Sequence, residues 1–277
     1  MIKDLTRAMS ARVPSSLVKA VVPQSIRLRR HVRSVLQRAT HDPEIALLPR
    51  LARAGCFLDI GANLGSWTGP ASRAFARVHA FEPHAELATA LRANVPPNVT
   101  VHEVALSDHH GVATFAIPLH AGEHLASRAS LELDANTGFD QVIRQVAMTT
   151  LDALDLRGVD AIKIDVEGHE AATLDGAWRT IERERPTLIV EIEERHHPGR
   201  SEALIERIAA RGYRCCYVAR RQLLEFTPGE IVRLQPAELI PTPEGTSPDY
   251  INNFFFVPRE REQQLTAMRA DLARPPA

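Results

Sequence analysis

A short apolar run, Phe57-Leu58-Asp59-Ile60, stops at a glycine turn, Gly61-Ala62-Asn63-Leu64-Gly65, and Ser66-Trp67-Thr68 follow. The pattern predicts a buried strand over 56–60 that ends in an acidic residue, then a turn, then a helix over 66–75. Glycine lets the backbone approach a ligand closely where a Cβ would intrude. The helix beyond the turn starts with N–H groups that have no intrahelical partner. A ligand is therefore expected at the end of this strand.

From Gly55 onward the chain alternates between strand and helix patterns. Strands are expected at 78–81, 99–104, 161–165, 187–192, 213–218 and 253–257. Helices are expected at 85–94, 170–182, 201–211 and 260–272. Such alternation implies βαβ units and a parallel sheet. Residues 111–150 break the rhythm: strands at 112–117 and 142–148 flank a polar stretch, 121–138. Long irregular loops inside compact domains are often functional, and this one is expected near the substrate as a lid or recognition loop. Residues 222–226 and 230–234 are expected to pair across Thr227-Pro228-Gly229. The fold class is α/β: a Rossmann-like, mostly parallel sheet of seven strands with helices on both faces and a hairpin inserted after the third strand. Ligands of such sheets bind at the carboxyl ends of the strands.

Residues 1–52 carry helical spacing interrupted by Pro14 and Pro23, and Arg27, Arg29, Arg30, Arg33 and Arg38 make them basic. They are expected to form a helical cap, whose basic face is solvated, covers the substrate, or meets an acidic partner or a membrane surface. Residues 53–258 then form the main domain, and 259–277 a terminal helix and tail.

Of the 277 residues, 44% are hydrophobic and the formal net charge is -1. That supplies a sizeable core and argues against a nucleic-acid partner, which calls for a basic domain. Cys56, Cys215 and Cys216 are too few and too badly spaced for a disulfide framework, so a reducing cytoplasm is expected. No apolar run approaches the roughly 20 residues of a membrane span, and the first residues do not read as a secretory signal. The excess of arginine over lysine reads as the composition of a GC-rich bacterial genome.

Two groups of residues carry chemistry. Glu82 ends the second expected strand, at the spacing of about 20 residues where dinucleotide folds place an acid on ribose hydroxyls. A pyrophosphate calls for G-x-G-x-x-G, whereas the spacing here is D-x-G-x-x-x-G. Asp59 before the turn repels a phosphate and suits an amino group. S-adenosylmethionine, with a ribose, an ammonium and no phosphate, fits better than a nicotinamide dinucleotide.

The second group is Ile162-Lys163-Ile164-Asp165-Val166-Glu167-Gly168-His169-Glu170. Alternate strand residues share a face, so Lys163 and Asp165 point one way, and Lys163 is given no catalytic role. Asp165 falls at the strand's carboxyl end, and Glu167 and His169 follow it. Glu191 ends the next strand, with Glu193, His196 and His197 beyond. These acids and a histidine suit either an acid/base set or, less expected, an oxygen-rich divalent metal site.

Together these residues resemble the FkbM family of S-adenosylmethionine-dependent methyltransferases. The resemblance rests on Asp59-Ile60-Gly61-Ala62-Asn63-Leu64-Gly65, Phe81-Glu82-Pro83, Thr150-Leu151-Asp152 and the block from Lys163 to Glu170. It continues through Asp175-Gly176-Ala177, Arg185-Pro186, Glu191, Gly212-Tyr213 and Asn253-Phe254, covering roughly 55–257. It implies a class I methyltransferase fold and O-methylation of a hydroxyl on a sugar, glycolipid or polyketide-type natural product. By position, Asp59, Gly61, Asn63 and Gly65 would hold the methionine part of the cofactor and Glu82 the ribose. Ala105, Leu106 and Asp108 would lie near the adenine. Asp165, Glu167 and His169 would face the acceptor. The resemblance supplies no base; by its chemistry near neutral pH His169 is the expected one, with Asp165 or Glu191 as the alternatives among the catalytic candidates. The competing expectations are a nicotinamide-dependent oxidoreductase and a cofactor-binding interaction protein without catalysis.

Overall fold

The computed structural model describes residues 24–37, 43–120, 123–124, 128–132, 139–196, 198–242 and 247–274. Most of the expected loop, 121–138, and the first 23 residues of the expected cap lie outside them. The elements run α1 (Gln24–Gln37), α2 (Leu48–Leu51), β1 (Cys56–Ile60), α3 (Thr68–Ala74), β2 (Arg77–Phe81), α4 (Ala85–Arg92), β3 (Val99–His102), β4 (Ala105–Leu106), β5 (Gly111–His120), β6 (Glu123–His124) and β7 (Gln141–Thr149). They continue with β8 (Val159–Ile164), α5 (Glu170–Asp175), α6 (Trp178–Glu184), β9 (Thr187–Glu191), α7 (Ser201–Ala209), β10 (Tyr213–Ala219), β11 (Gln222–Glu225), α8 (Ile231–Leu234), β12 (Asn253–Pro258) and α9 (Glu262–Leu272).

The main sheet has the order β11-β10-β12-β9-β8-β1-β2-β3. Neighbours from β9 to β3 run parallel. β12 is antiparallel to both β9 and β10, and β11 is antiparallel to β10. A smaller sheet, β4-β7-β5-β6, stands beside it, with β5 and β7 paired over eight residues from Gly111↔Met148 to Pro118↔Gln141.

The period-2 rule decides the layers. Phe57, Ile189, Phe255 and Val257 point into one core, against α1, α4 and α9. Leu58, Ile162, Leu188, Phe254 and Phe256 point into the other, against α5, α6 and α7. With both faces covered, the strands read as apolar runs rather than as alternations. α1 packs through Val32 and Leu36, and its path is fixed by Gly69 of α3, where a Cβ would lie 2.5 Å from the Leu36 carbonyl oxygen.

Three expectations need correction. The main sheet has eight strands, not seven, because β11 extends its edge beyond β10. Residues 230–234 do not pair with 222–226; 231–234 form α8, with Ile231 and Leu234 buried at helical spacing and Val232 exposed. The helix expected over 170–182 is two helices, α5 and α6, broken at Gly176-Ala177. Gly176 packs so tightly on the Ser107 carbonyl oxygen that a Cβ would lie 1.9 Å from it. Among the described residues, no helix is long and apolar enough to cross a membrane.

Candidate active site

The carboxyl ends of β1, β2, β8 and β9 open into a cavity of about 950 Å³. Ligand pockets usually run from about 300 to 1,000 Å³, so this one has room for a cofactor and part of a second molecule. Gly61, Asn63, Glu82, Ala105, Leu106, Asp165, Glu167, His169 and Glu191 all line it. Sequence spacing and resemblance place ligands on these nine; the fold brings them together from five separate segments.

The cofactor side is built on the turn after β1. Gly61 has φ +83°, and its N–H and that of Ala62 both donate to the Phe81 carbonyl at 3.0 Å. This ties the turn to the end of β2. Asn63, at φ +48°, donates its backbone N–H to Glu82 Oε2 at 2.7 Å, and the His84 N–H donates to Glu82 Oε1 at 2.8 Å. Burial still dominates Glu82 and pushes its carboxyl up to about 7, against these two hydrogen bonds. The side-chain oxygens Asn63 Oδ1 and Asn253 Oδ1 are buried with no hydrogen-bond partner among the described residues, and both residues line the cavity. Buried polar atoms are nearly always paired, so these two are acceptors waiting for a donor. An ammonium or hydroxyl-bearing ligand meets that need.

Three residues assigned to the cofactor by position stand elsewhere. Asp59 lies beneath the turn, 2% exposed, and accepts the Thr68 hydroxyl. Burial raises its carboxyl to about 6 despite Thr68 and Lys163. Its contact is with the start of α3, not with the cavity. Gly65, at φ +87°, faces Leu36 and Leu91; a Cβ there would come within 2.7 and 2.9 Å of their methyl groups. Asp108 is half exposed, outside the cavity lining, and bonded to Ser107 and His109.

On the acceptor side, Lys163 organises the acids. Its ammonium is 3.4 Å from Asp165 Oδ2 and 3.6 Å from Glu191 Oε2, and it donates to the Ile164 carbonyl at 3.3 Å. It also stands 5.5 Å from the ring centre of Trp67, which lines the cavity. Burial by itself would lower its pKa; Asp165 and Glu191, with help from Glu44 and Asp59, reverse this and keep it charged. Glu191 goes the other way: burial first, and then the negative charge of Asp165, push its carboxyl well up against the pull of Lys163. Among the described residues, no group of three or more His, Cys, Asp or Glu side chains could hold a metal ion.

Behind these acids lies a network centred on Arg195. Arg195 pairs with Glu193 and, at 3.1 Å, with Glu167. Burial would raise Glu193, but the hydrogen bond and charge of Arg195 hold it down at about 2. Asn252 Nδ2 donates to Glu191 at 2.8 Å and to Glu193 at 3.2 Å, and the Tyr250 hydroxyl donates to Glu193. Glu167 itself holds φ +51° and also meets His196 Nε2 at 3.2 Å. His169 is held at both ring nitrogens: Nδ1 lies 2.7 Å from Glu132 Oε1 and Nε2 lies 2.9 Å from Ser107 Oγ. Glu132 belongs to the described part of the expected recognition loop, where Ala129 and Leu131 also line the cavity. None of Ser107, Glu132, Arg195, Tyr250 or Asn252 sits in a spacing motif; only the fold assembles them. His197 is outside the described residues.

Residues 59–215 match the family model of the Methyltransferase FkbM domain. The chain is also similar to a crystal structure of methyltransferase FkbM from Methylobacillus flagellatus KT, at 15% identity and a TM-score of 0.46, over 83% of this chain and 59% of that one. A precorrin-6y C5,15-methyltransferase from Geobacter metallireducens GS-15 shares 15% identity at a TM-score of 0.36, over 79% of this chain and 89% of that one. A precorrin 8W decarboxylase from Methanobacterium thermoautotrophicum shares 14% at 0.40, over 79% and 90%. No curated protein matches the sequence.

Proposed function

Because the chain belongs to the FkbM methyltransferase family, we propose that it transfers the methyl group of S-adenosylmethionine to a hydroxyl of a small molecule. The acceptor is a sugar, glycolipid or polyketide-type natural product rather than a nucleic acid. In this reading residues 53–258 form the catalytic unit, capped by 1–52 and closed by 259–277. One observation carries the proposal: the Gly61–Asn63 turn with Glu82, and the acids ending β8 and β9, line a single cavity.

The cofactor, when bound, supplies a methyl group already activated by its sulfonium. The chain must bind it, align the acceptor and take up a proton. Glu82 is the partner for ribose hydroxyls, which its carboxylate can accept beside the two N–H bonds it holds. Asn63 Oδ1 and Asn253 Oδ1 are acceptors for an ammonium. Alignment of the reacting atoms supplies much of the rate. For the proton, Glu191 is favoured over His169. Both line the cavity and both have partners, but the His169 nitrogens are both engaged, whereas the Glu191 carboxyl, beside Asn252 and Lys163, is raised into a more basic range by burial and by Asp165. General bases are tuned this way. His169 then fixes the Glu132 segment against Ser107.

Calorimetry with S-adenosylhomocysteine, with NADH as the control, tests the cofactor: the first binds and the second does not. Binding should also depend on pH. The bound form keeps Glu82 ionised, so binding expels a proton wherever free Glu82 holds one. Affinity for S-adenosylhomocysteine should rise with pH up to about 7 and level off above it. Glu82→Gln should bind weakly without that slope; an unchanged slope would remove Glu82 from the ribose. Glu191→Gln should lower kcat by about 10²–10⁴-fold while leaving S-adenosylhomocysteine affinity intact. Wild-type turnover in that variant would return the base to Asp165 or His169.

A further inference from the structure

Among the described residues lining the cavity, all lysine and arginine charge comes from one turn. Arg220 and Arg221 join β10 to β11 and both line the cavity. The acids that line it, Glu44, Glu82, Asp165, Glu167 and Glu191, come from other segments. The two arginines have φ of +47° and +61°. A two-residue hairpin turn with both φ positive is normally built from Asn-Gly or Asp-Gly. A longer side chain there meets a steric penalty, and this chain accepts it twice in succession. Left-handed non-glycine residues gather where the side chain has a task.

The guanidiniums are only partly engaged. Arg220 Nε lies 3.6 Å from Asp249, with 86% of the Arg220 side chain exposed. Among the described residues, Arg221 donates one bond, from Nη2 to the Arg274 carbonyl at 2.6 Å. Each guanidinium has five N–H donors, so most remain for a ligand. His31 of α1, also exposed, lines the same cavity.

We propose that the Arg220-Arg221 turn binds a phosphate group on the methyl acceptor, at the rim of the cavity. This rests on the methyltransferase reading above and names the acceptor class. Guanidinium forks match phosphate oxygens in geometry and charge. The acids deeper in the cavity repel the same group. A phosphorylated acceptor therefore enters with its phosphate outward on the turn and its hydroxyl inward, towards Asp165 and Glu191. The phosphate can belong to a soluble sugar phosphate or to a lipid-linked sugar.

The test uses the full chain loaded with S-adenosylhomocysteine. It is titrated with glycerol 3-phosphate and, separately, mixed with phosphatidylcholine vesicles with and without phosphatidic acid. The decisive variant combines Arg220→Asn with Arg221→Gly, which gives the turn its preferred residues, so its thermal midpoint should equal or exceed that of the native chain. Phosphate binding should weaken by about tenfold or more in it, while S-adenosylhomocysteine affinity stays the same. Binding of glycerol 3-phosphate that is lost in the variant supports a soluble phosphorylated acceptor. Binding confined to the phosphatidic acid vesicles and lost in the variant supports a lipid phosphate. Binding kept in the variant, or absent from both proteins, overturns the proposal. Failure to bind S-adenosylhomocysteine instead overturns the methyltransferase reading, and the phosphate titration, repeated on the unloaded chain, still decides the turn.

Discussion

Lys163→Met is expected to destabilise the fold by about 3–5 kcal/mol, the cost of removing one partner from a buried ion pair. Methionine fills similar volume, so packing is nearly kept and the loss is electrostatic. In the native protein the ammonium lies within 3.6 Å of both Asp165 and Glu191. Without it, two carboxylates share a desolvated site with no cation between them. Glu191, already raised by burial and by Asp165, rises further and keeps a proton in the folded state that it releases on unfolding. A carboxyl raised in this way makes stability fall as pH increases. The loss in Lys163→Met should therefore be larger at about pH 8 than at about pH 5, and adding Glu191→Gln should recover part of it. Denaturant titrations of both variants at the two pH values measure this. A loss below about 1 kcal/mol, as for a surface ion pair, would show that the lysine is not the anchor of the site.

Among the described residues, Gly61→Ala should be the most damaging glycine substitution. Its Cβ would lie 1.8 Å from the Asp165 carbonyl oxygen, which is backbone and cannot swing away. Strand β8 would have to part from the turn, and Asp165 would move with it. A loss of more than about 3 kcal/mol is expected, together with loss of S-adenosylhomocysteine binding. Two other glycines calibrate this. Gly65→Ala meets only the ends of the Leu36 and Leu91 side chains, so it should cost less. Gly199→Ala has nothing within 4 Å and bears only its φ of +73°, worth roughly 1–2 kcal/mol. Thermal melts of the three variants should follow the order Gly61, Gly65, Gly199. Equal losses at Gly61 and Gly199 would mean that the clash relaxes and only backbone strain counts.

That order also separates two roles which the sequence merges. Gly61 and Gly65 look alike in the motif, and so do Asp59 and Glu82 as acids at the ends of neighbouring strands. Strand periodicity and turn spacing place all four near the end of β1 or β2, because those signals are local. They do not say which side chain meets a ligand and which meets another helix. That depends on α1, from a segment with no motif of its own: Leu36 fills the space at Gly65. It depends likewise on Thr68, whose hydroxyl goes to Asp59. For the same reason the 231–234 segment reads as a strand but folds as a helix, since a run of four residues fits either period until its packing partners are known.

The sequence by itself determined the family, the alternation of strands and helices, the turn after β1 and the acids at the ends of β2, β8 and β9. All of these are written in spacing along one segment at a time. The tertiary structure alone decided that Lys163 sits between Asp165 and Glu191, that His169 is held at both nitrogens by Glu132 and Ser107, and that the Arg220-Arg221 turn reaches the same cavity. Those contacts join residues far apart in the chain. Their energies come from burial, which raises Glu191 and Glu82, and from charges brought within a few ångströms, which keep Lys163 charged. Neither burial nor separation is defined until the sheet has formed.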